Sequence, residues 1–153
     1  MEKFNDARGE VWTITIDINK IKRVRERLGI DLIKAAEGQE LLDLADDIEA
    51  LINLIYVLCA DQAEERGMTD EDFGACLVGD VFDKSYIAMM TELVNFFPSR
   101  KGKWLKAAWT KTDKMTDRVI EKGVELIESQ EMDSYLKKME TEVNAKMKQA
   151  GIE

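Results

Sequence analysis

The residues with the most chemical potential in this chain run from Phe96 to Trp109. Phe96 and Phe97 precede Arg100, Lys101, Lys103, Trp104, Lys106 and Trp109, and no acid falls between residues 99 and 112. Cations interleaved with aromatic rings can hold single-stranded nucleic acid by charge and stacking. The same residues can anchor a protein interface, where tryptophan and arginine carry much of the energy. A third reading is structural. Trp104 and Ala108 lie four apart, on one helical face, and would pack in the core while the lysines face water and Trp109 points elsewhere.

Little else in the sequence offers reactivity. There is no histidine, which removes the commonest general base near neutral pH and every Ser–His or Cys–His nucleophile pair. Cys59 and Cys76 stand alone. Neither has the neighbouring ligands of a zinc site, and Cys59 falls within an apolar run as a small core residue. Asp43, Asp46 and Asp47 cluster, as do Asp70, Glu71 and Asp72. Calcium loops alternate their ligands around a central glycine and end on a glutamate, a pattern absent here. Both clusters sit where helices begin, where acids are stabilising without a metal. No glycine-rich loop carries a lysine for phosphate. These absences point away from an enzyme and from a cofactor.

Charge is sorted along the chain. Residues 37–83 hold 14 acids against one base, Arg66, whereas residues 99–112 hold five bases. The net charge of −9 argues against general DNA binding, which needs a cationic face. The N-terminal residues contain no apolar signal-peptide core. The longest apolar stretch, Ala50–Ala60, falls short of the roughly 20 residues that span a bilayer. These features predict a cytoplasmic protein with reduced cysteines and no membrane contact.

The elements that position these residues are read from periodicity. Phe4 to Ile18 predicts a β-hairpin turning at Asp6-Ala7-Arg8-Gly9, with Trp12, Ile14 and Ile16 on its packed face. Asn19 is placed as the cap of a helix to Leu28, with Gly29 as its stop. Short helices follow at 31–36 and 40–45. A central helix from Asp46 or Asp47 to about Arg66 is apolar almost all round and so buried on most sides. Thr69 caps the next short helix. Val81–Phe97 carries a stripe of Phe82, Tyr86, Met89, Leu93, Phe96 and Phe97, and Pro98 ends it. Two further helices, about Lys103–Glu128 and Met132–Lys148 with Asp133 or Ser134 near its cap, carry only thin apolar stripes. The fold class is mainly α: a helical bundle with a small N-terminal β-hairpin and a long C-terminal helical hairpin. Residues 1–98 form the hairpin and helical core, and residues 99–153 form C-terminal helices of the same domain, with any boundary near Pro98–Gly102.

The order of these features resembles the tail assembly chaperones of long-tailed bacteriophages. Asn5–Ile16 is similar to the opening hairpin of that family and Asn19–Leu28 to its first helix. Leu51–Ala63, Phe73-Gly74 and Asn95-Phe96-Phe97-Pro98 look like the body of its members. The likeness covers roughly residues 3–100, and the chain beyond Thr110 departs from the pattern. The resemblance implies a non-enzymatic protein of the infected cell's cytoplasm that binds the tape measure protein and helps recruit tail tube subunits. The basic–aromatic segment itself gives the candidate partner-binding residues: Phe96, Phe97, Arg100, Lys101, Lys103, Trp104, Lys106 and Trp109. An acidic body beside this basic seam also predicts a homo-oligomer. The alternative is a small helical nucleic-acid-binding or regulatory protein using the basic segments 20–27 and 100–111.

Overall fold

The chain opens with a turn that its own carboxylate organises. Asp6 is buried. It accepts hydrogen bonds from the backbone N–H of Arg8 at 2.8 Å and of Glu10 at 3.0 Å, and from the Trp12 indole at 3.0 Å. Gly9 completes the turn at φ 86°, a left-handed conformation that glycine adopts without strain. The turn joins β1 (Glu2–Asn5) to β2 (Val11–Ile14), which pair antiparallel with Phe4 opposite Trp12 and Glu2 opposite Ile14. Phe4, Trp12 and Ile14 are buried on one face.

The computed structural model describes residues 1–152 and is mainly α, with nine helices among the described residues. They are α1 (Ile18–Leu28), α2 (Leu32–Ala35), α3 (Glu40–Asp46), α4 (Ile48–Leu58), α5 (Ala60–Glu65), α6 (Asp70–Ala75), α7 (Asp80–Phe96), α8 (Ser99–Ile127) and α9 (Gln130–Gln149). The chain divides inside α8 into two units, Met1–Lys106 and Ala107–Glu153.

In the first unit, α4 is central, touched by α1, α3, α6 and α7. Leu51, Leu54, Ile55, Val57 and Leu58 are buried along it, as its all-round apolar pattern requires. Trp12 is fully buried, with the Phe73 ring edge-on at 4.8 Å and the Arg66 guanidinium 4.1 Å from its ring centre. Gly29 stops α1 in the left-handed conformation. Thr69 and Asp72 form a reciprocal capping box on α6.

Several boundaries differ from the sequence reading, each for a local reason. α1 starts at Ile18 and its cap is Asp17, whose carboxylate accepts from the Lys20 N–H, so Asn19 lies inside the helix. The strand ends at Ile14 because β1 supplies no partner beyond Glu2; Ile16 is half-buried and Ile18 exposed. The central helix is two helices that meet at Cys59, next to a Leu58 carbonyl that takes the Lys20 ammonium at 2.9 Å. The buried face of α7 contains Ser85, Ala88 and Glu92 beside Met89, Met90 and Leu93, while Phe82, Tyr86 and Phe96 are half-buried. Small residues there let β1 approach α7, and Glu92 pairs with the Met1 ammonium. Finally α8 begins directly after Pro98, whose fixed φ suits a helix start, and Ser129 caps α9 three residues ahead of the expected start.

The Asp6 turn is directly testable. Burial raises the Asp6 pKa, but hydrogen bonds from Trp12, Glu10 and Arg8 outweigh it and hold the carboxyl below its usual 3.8. A depressed value contributes stability that is complete above pH 3.8 and lost as pH falls through the folded value. Asp6→Asn should therefore cost about 1–3 kcal/mol near neutral pH, because the Trp12 donor loses its charged acceptor. Its urea midpoint should also fall less steeply in acid than that of the parent. Asp31 and Asp72, held low first by the backbone N–H groups of Lys34 and Thr69, keep the remaining slope. Parallel midpoint-against-pH curves for the two proteins would refute this role.

Candidate partner-binding surface

The basic segment is helical from its first residue. Pro98 breaks α7 by holding Phe97 extended, at φ −78° and ψ 152°, as a residue before proline prefers. The Pro98 carbonyl then accepts from the Gly102 N–H at 2.9 Å. Gly102 and Leu105 are buried, so this face of α8 lies against the end of α7. A Cβ on Gly102 would meet the Val94 carbonyl oxygen at 2.8 Å, which is why glycine stands here: the two backbones touch.

That packing turns Arg100, Lys103 and Trp104 outward. All three are exposed, as is Lys106. Trp104 is 57% exposed, which overturns its reading as a core residue paired with Ala108. Phe97 is buried and Phe96 half-buried, with ring centres 5.3 Å apart in an edge-on pair. Lys101 differs from its neighbours. Its ammonium lies 4.7 Å from the Phe97 ring centre and pairs with Glu37, so it fastens α8 to the α2–α3 connection. A shallow cavity of about 270 Å³ opens beside Asn95, Phe97, Lys103 and Lys106. Of the expected partner-binding residues, Arg100, Lys103, Trp104 and Lys106 thus offer exposed side chains here, while Phe97 and Lys101 serve the fold. Trp109 belongs to the second unit, where it is half-buried.

Electrostatics set this surface apart. Cations at a helix N-terminus oppose the helix dipole, and the first turn of α8 has no acid to offset them. All fourteen acids between residues 37 and 83 are exposed. Nine of them, Glu40, Asp43, Glu49, Asp61, Asp70, Glu71, Asp72, Asp80 and Asp83, occupy first turns of helices, and Asp47 caps α4. No group of three or more ligating side chains suited to a metal occurs among the described residues. Cys59 is fully buried and its thiol is pushed up to about 12 by burial, which removes it as a nucleophile. The other basic segment is largely engaged within the fold. Lys20 binds Thr15 and Leu58, Arg23 pairs with Asp61, and Arg25 pairs with Asp31.

The second unit offers a surface of another kind. Its part of α8 presents Met115, Val119, Ile120, Val124, Leu126 and Ile127, and α9 presents Tyr135, Leu136, Met139, Val143 and Met147, all exposed. Val119 and Ile127 reach 69% and 67% exposure. No residue of α9 is buried, and no helix is long and apolar enough to cross a membrane among the described residues. The thin stripes legible in the sequence are therefore apolar faces in contact with water. Periodicity gives these faces but not what covers them.

Two glycines of α8 separate packing from conformation. Gly102→Ala should destabilise by about 1–3 kcal/mol, as overpacking against a backbone atom does. Gly123→Ala, with no atom within 4 Å of the added carbon, should stabilise by about 0.5–1 kcal/mol through helix propensity. Denaturant midpoints that move in the same direction for both would refute the close approach at Gly102.

Comparison with protein-family models, with curated proteins and with solved structures finds no match to this chain.

Proposed function

We propose that the protein is a non-enzymatic tail assembly chaperone of a long-tailed bacteriophage. It acts in the host cytoplasm, binds the long helical tape measure protein, and helps recruit tail tube subunits around it. The observation that carries this reading is the second unit, with its exposed apolar stripes on α8 and α9. Monomeric proteins rarely leave contiguous apolar faces of this kind open, and such faces mark partner sites. A tape measure protein is itself amphipathic and helical, so its apolar side can lie along these stripes in a helix-to-helix mode. The order of the hairpin, first helix and body supports the same family by resemblance.

The charged surface serves a second contact. The exposed acids of residues 37–83 and the outward bases of α8 are of opposite sign, so the acidic body of one copy is drawn to the basic turn of another.

Both contacts can be measured. Co-expressed with the tape measure protein encoded beside it, the chaperone should keep that protein soluble and co-purify with it. Replacing Val119, Ile127 and Leu136 together by aspartate should weaken the association by about a hundredfold or more, since each buried aliphatic side chain contributes about 1.5–3 kcal/mol. Because all three are exposed, the unfolding free energy from urea titration should stay within about 0.5 kcal/mol of the parent. A soluble tape measure without the chaperone, or equal capture by the triple variant, would sink the proposal. Separately, Lys103→Glu with Lys106→Glu should reduce the particle size on a calibrated column; Lys101 is left intact because it holds Glu37. An unchanged size would remove the self-contact.

A further inference from the structure

The two edges of the N-terminal sheet are treated differently. In an antiparallel pair, residues alternate between directing their backbone groups to the partner strand and directing them outward. On β2 the outward groups belong to Val11 and Thr13, and three of these four N–H and C=O groups are engaged. Thr13 donates to the Gln62 side-chain oxygen at 3.0 Å and accepts from its amide at 2.7 Å, while the Val11 carbonyl accepts from Arg66 at 2.7 Å. Two side chains of the α5 region thus close that edge. By the register Lys3–Thr13 and Asn5–Val11, the outward groups of β1 belong to Lys3 and Asn5. Among the described residues no hydrogen bond reaches them.

A groove of about 420 Å³ runs along this open edge. It touches all four residues of β1, which alternate in face, so it follows the edge rather than either face of the sheet. Its other side is α7, which packs directly against β1 and lines the groove through Lys84, Ile87 and Ala88. Ile87 is 52% exposed, although its neighbour Ala88 is buried. Lys3 and Lys84 are exposed, and neither takes part in an ion pair among the described residues. In a chain of net charge −9, two unpaired cations facing one groove mark it for an acidic occupant. The one acid in the groove, Glu2, is half-buried at its end.

We propose that the β1 edge is a strand-addition site for an extended, acidic segment of a partner protein. The partner strand exchanges backbone hydrogen bonds with Lys3 and Asn5, which supplies the affinity of this mode. Its alternate side chains fall on opposite faces. One set lies beside Lys3, where a carboxylate is the favourable cross-strand neighbour. The other set faces Ile87, where an aliphatic side chain fits. The recognised chemistry is therefore a short acidic–aliphatic alternation in extended form. The site lies in the first unit and does not depend on the apolar stripes of α8 and α9, so it stands or falls apart from the chaperone reading.

The test uses the whole chain and a capped pentapeptide of alternating aspartate and valine. On titration, the Lys3 and Asn5 amide resonances should shift, and their hydrogen exchange should slow by about tenfold at saturation, as pairing in a ladder protects an N–H. The Phe4 amide, already paired with Trp12, should keep its exchange rate. N-methylating the peptide at alternate amides should abolish binding. Lys84→Glu, an exposed change, should weaken it about tenfold, the loss expected of one charge-assisted contact. Four outcomes would overturn the proposal: no change at β1 with millimolar peptide, shifts confined to residues 100–106, equal binding of the N-methylated peptide, or concentration-dependent protection of Lys3 and Asn5 without peptide. The last would give the edge to a second copy of the chain.

Discussion

Everything in the first unit is built around one buried indole. Trp12 has an apolar body and one polar N–H, and burying it fully requires a partner for each. Asp6 supplies the acceptor, Phe73 the edge-on ring, and Arg66 the cation over the face. These residues come from the hairpin turn, from α6 and from just beyond α5, so one side chain fixes three pieces of chain together. The same Asp6 also holds the N–H groups of its own turn. The hairpin, which would be marginal in water alone, thus gains its order and its docking from one carboxylate. Arg66 extends the arrangement to the outer edge of β2 through Val11. The chain's single base between residues 37 and 83 is there because a tryptophan and a strand edge both need it.

Much of the fold was legible because its signals are local. The period-two run through Trp12 and Ile14, the Thr69 cap, the Gly29 stop and the Pro98 break each depend on residues within a few positions of one another, and each appears where it was read. What failed depended on distant partners. No local rule says that Lys20 will take the Leu58 carbonyl beside the helix break at Cys59. None says that β1 will be too short to extend β2 past Ile14. The buried face of α7 was read from its large residues, yet strand packing selected small ones, Ser85 and Ala88, with Glu92 facing the Met1 ammonium. At the candidate surface, the sequence marks a stretch of chain but not how the fold divides it between packed and exposed side chains. A helix read from about Lys103 leaves Gly102 outside it, yet Gly102 lies within α8 against the Val94 carbonyl, and that packing sets which way Trp104 faces.

The sorted charge has two different origins. Most acids of residues 37–83 sit where five successive helices, α3 to α7, expose N–H groups at their starts, so the run reflects many helix beginnings in a short span. The bases of α8 have no such account. They stand at a helix N-terminus, where their sign is locally unfavourable, and among the described residues only Lys101 has an ion-pair partner that offsets it. Tight packing at Gly102 and Leu105 tolerates the arrangement because it holds the first turns in place from the other side. A feature that weakens the helix it belongs to, and that presents an exposed tryptophan among cations, is not accounted for by the fold it sits in.

The second unit raises the same question more sharply. Helix propensity alone gives a solvent-exposed helix little stability, and most helical stability in proteins comes from burying an apolar face. The local terms of α9 are favourable: Ser129 caps it, Glu131 and Asp133 fall in its first turn, and Lys146 and Lys148 in its last. Each is worth about 0.3–1 kcal/mol, enough to bias the segment towards helix without fixing it firmly. The stripe from Tyr135 to Met147 would supply the rest on burial. Helix order and partner binding in this segment are then two sides of one equilibrium, because whatever covers the stripe also stabilises the helix that presents it. Methionines at 139 and 147 suit such a face, since an unbranched, polarisable side chain adapts its shape to more than one neighbour.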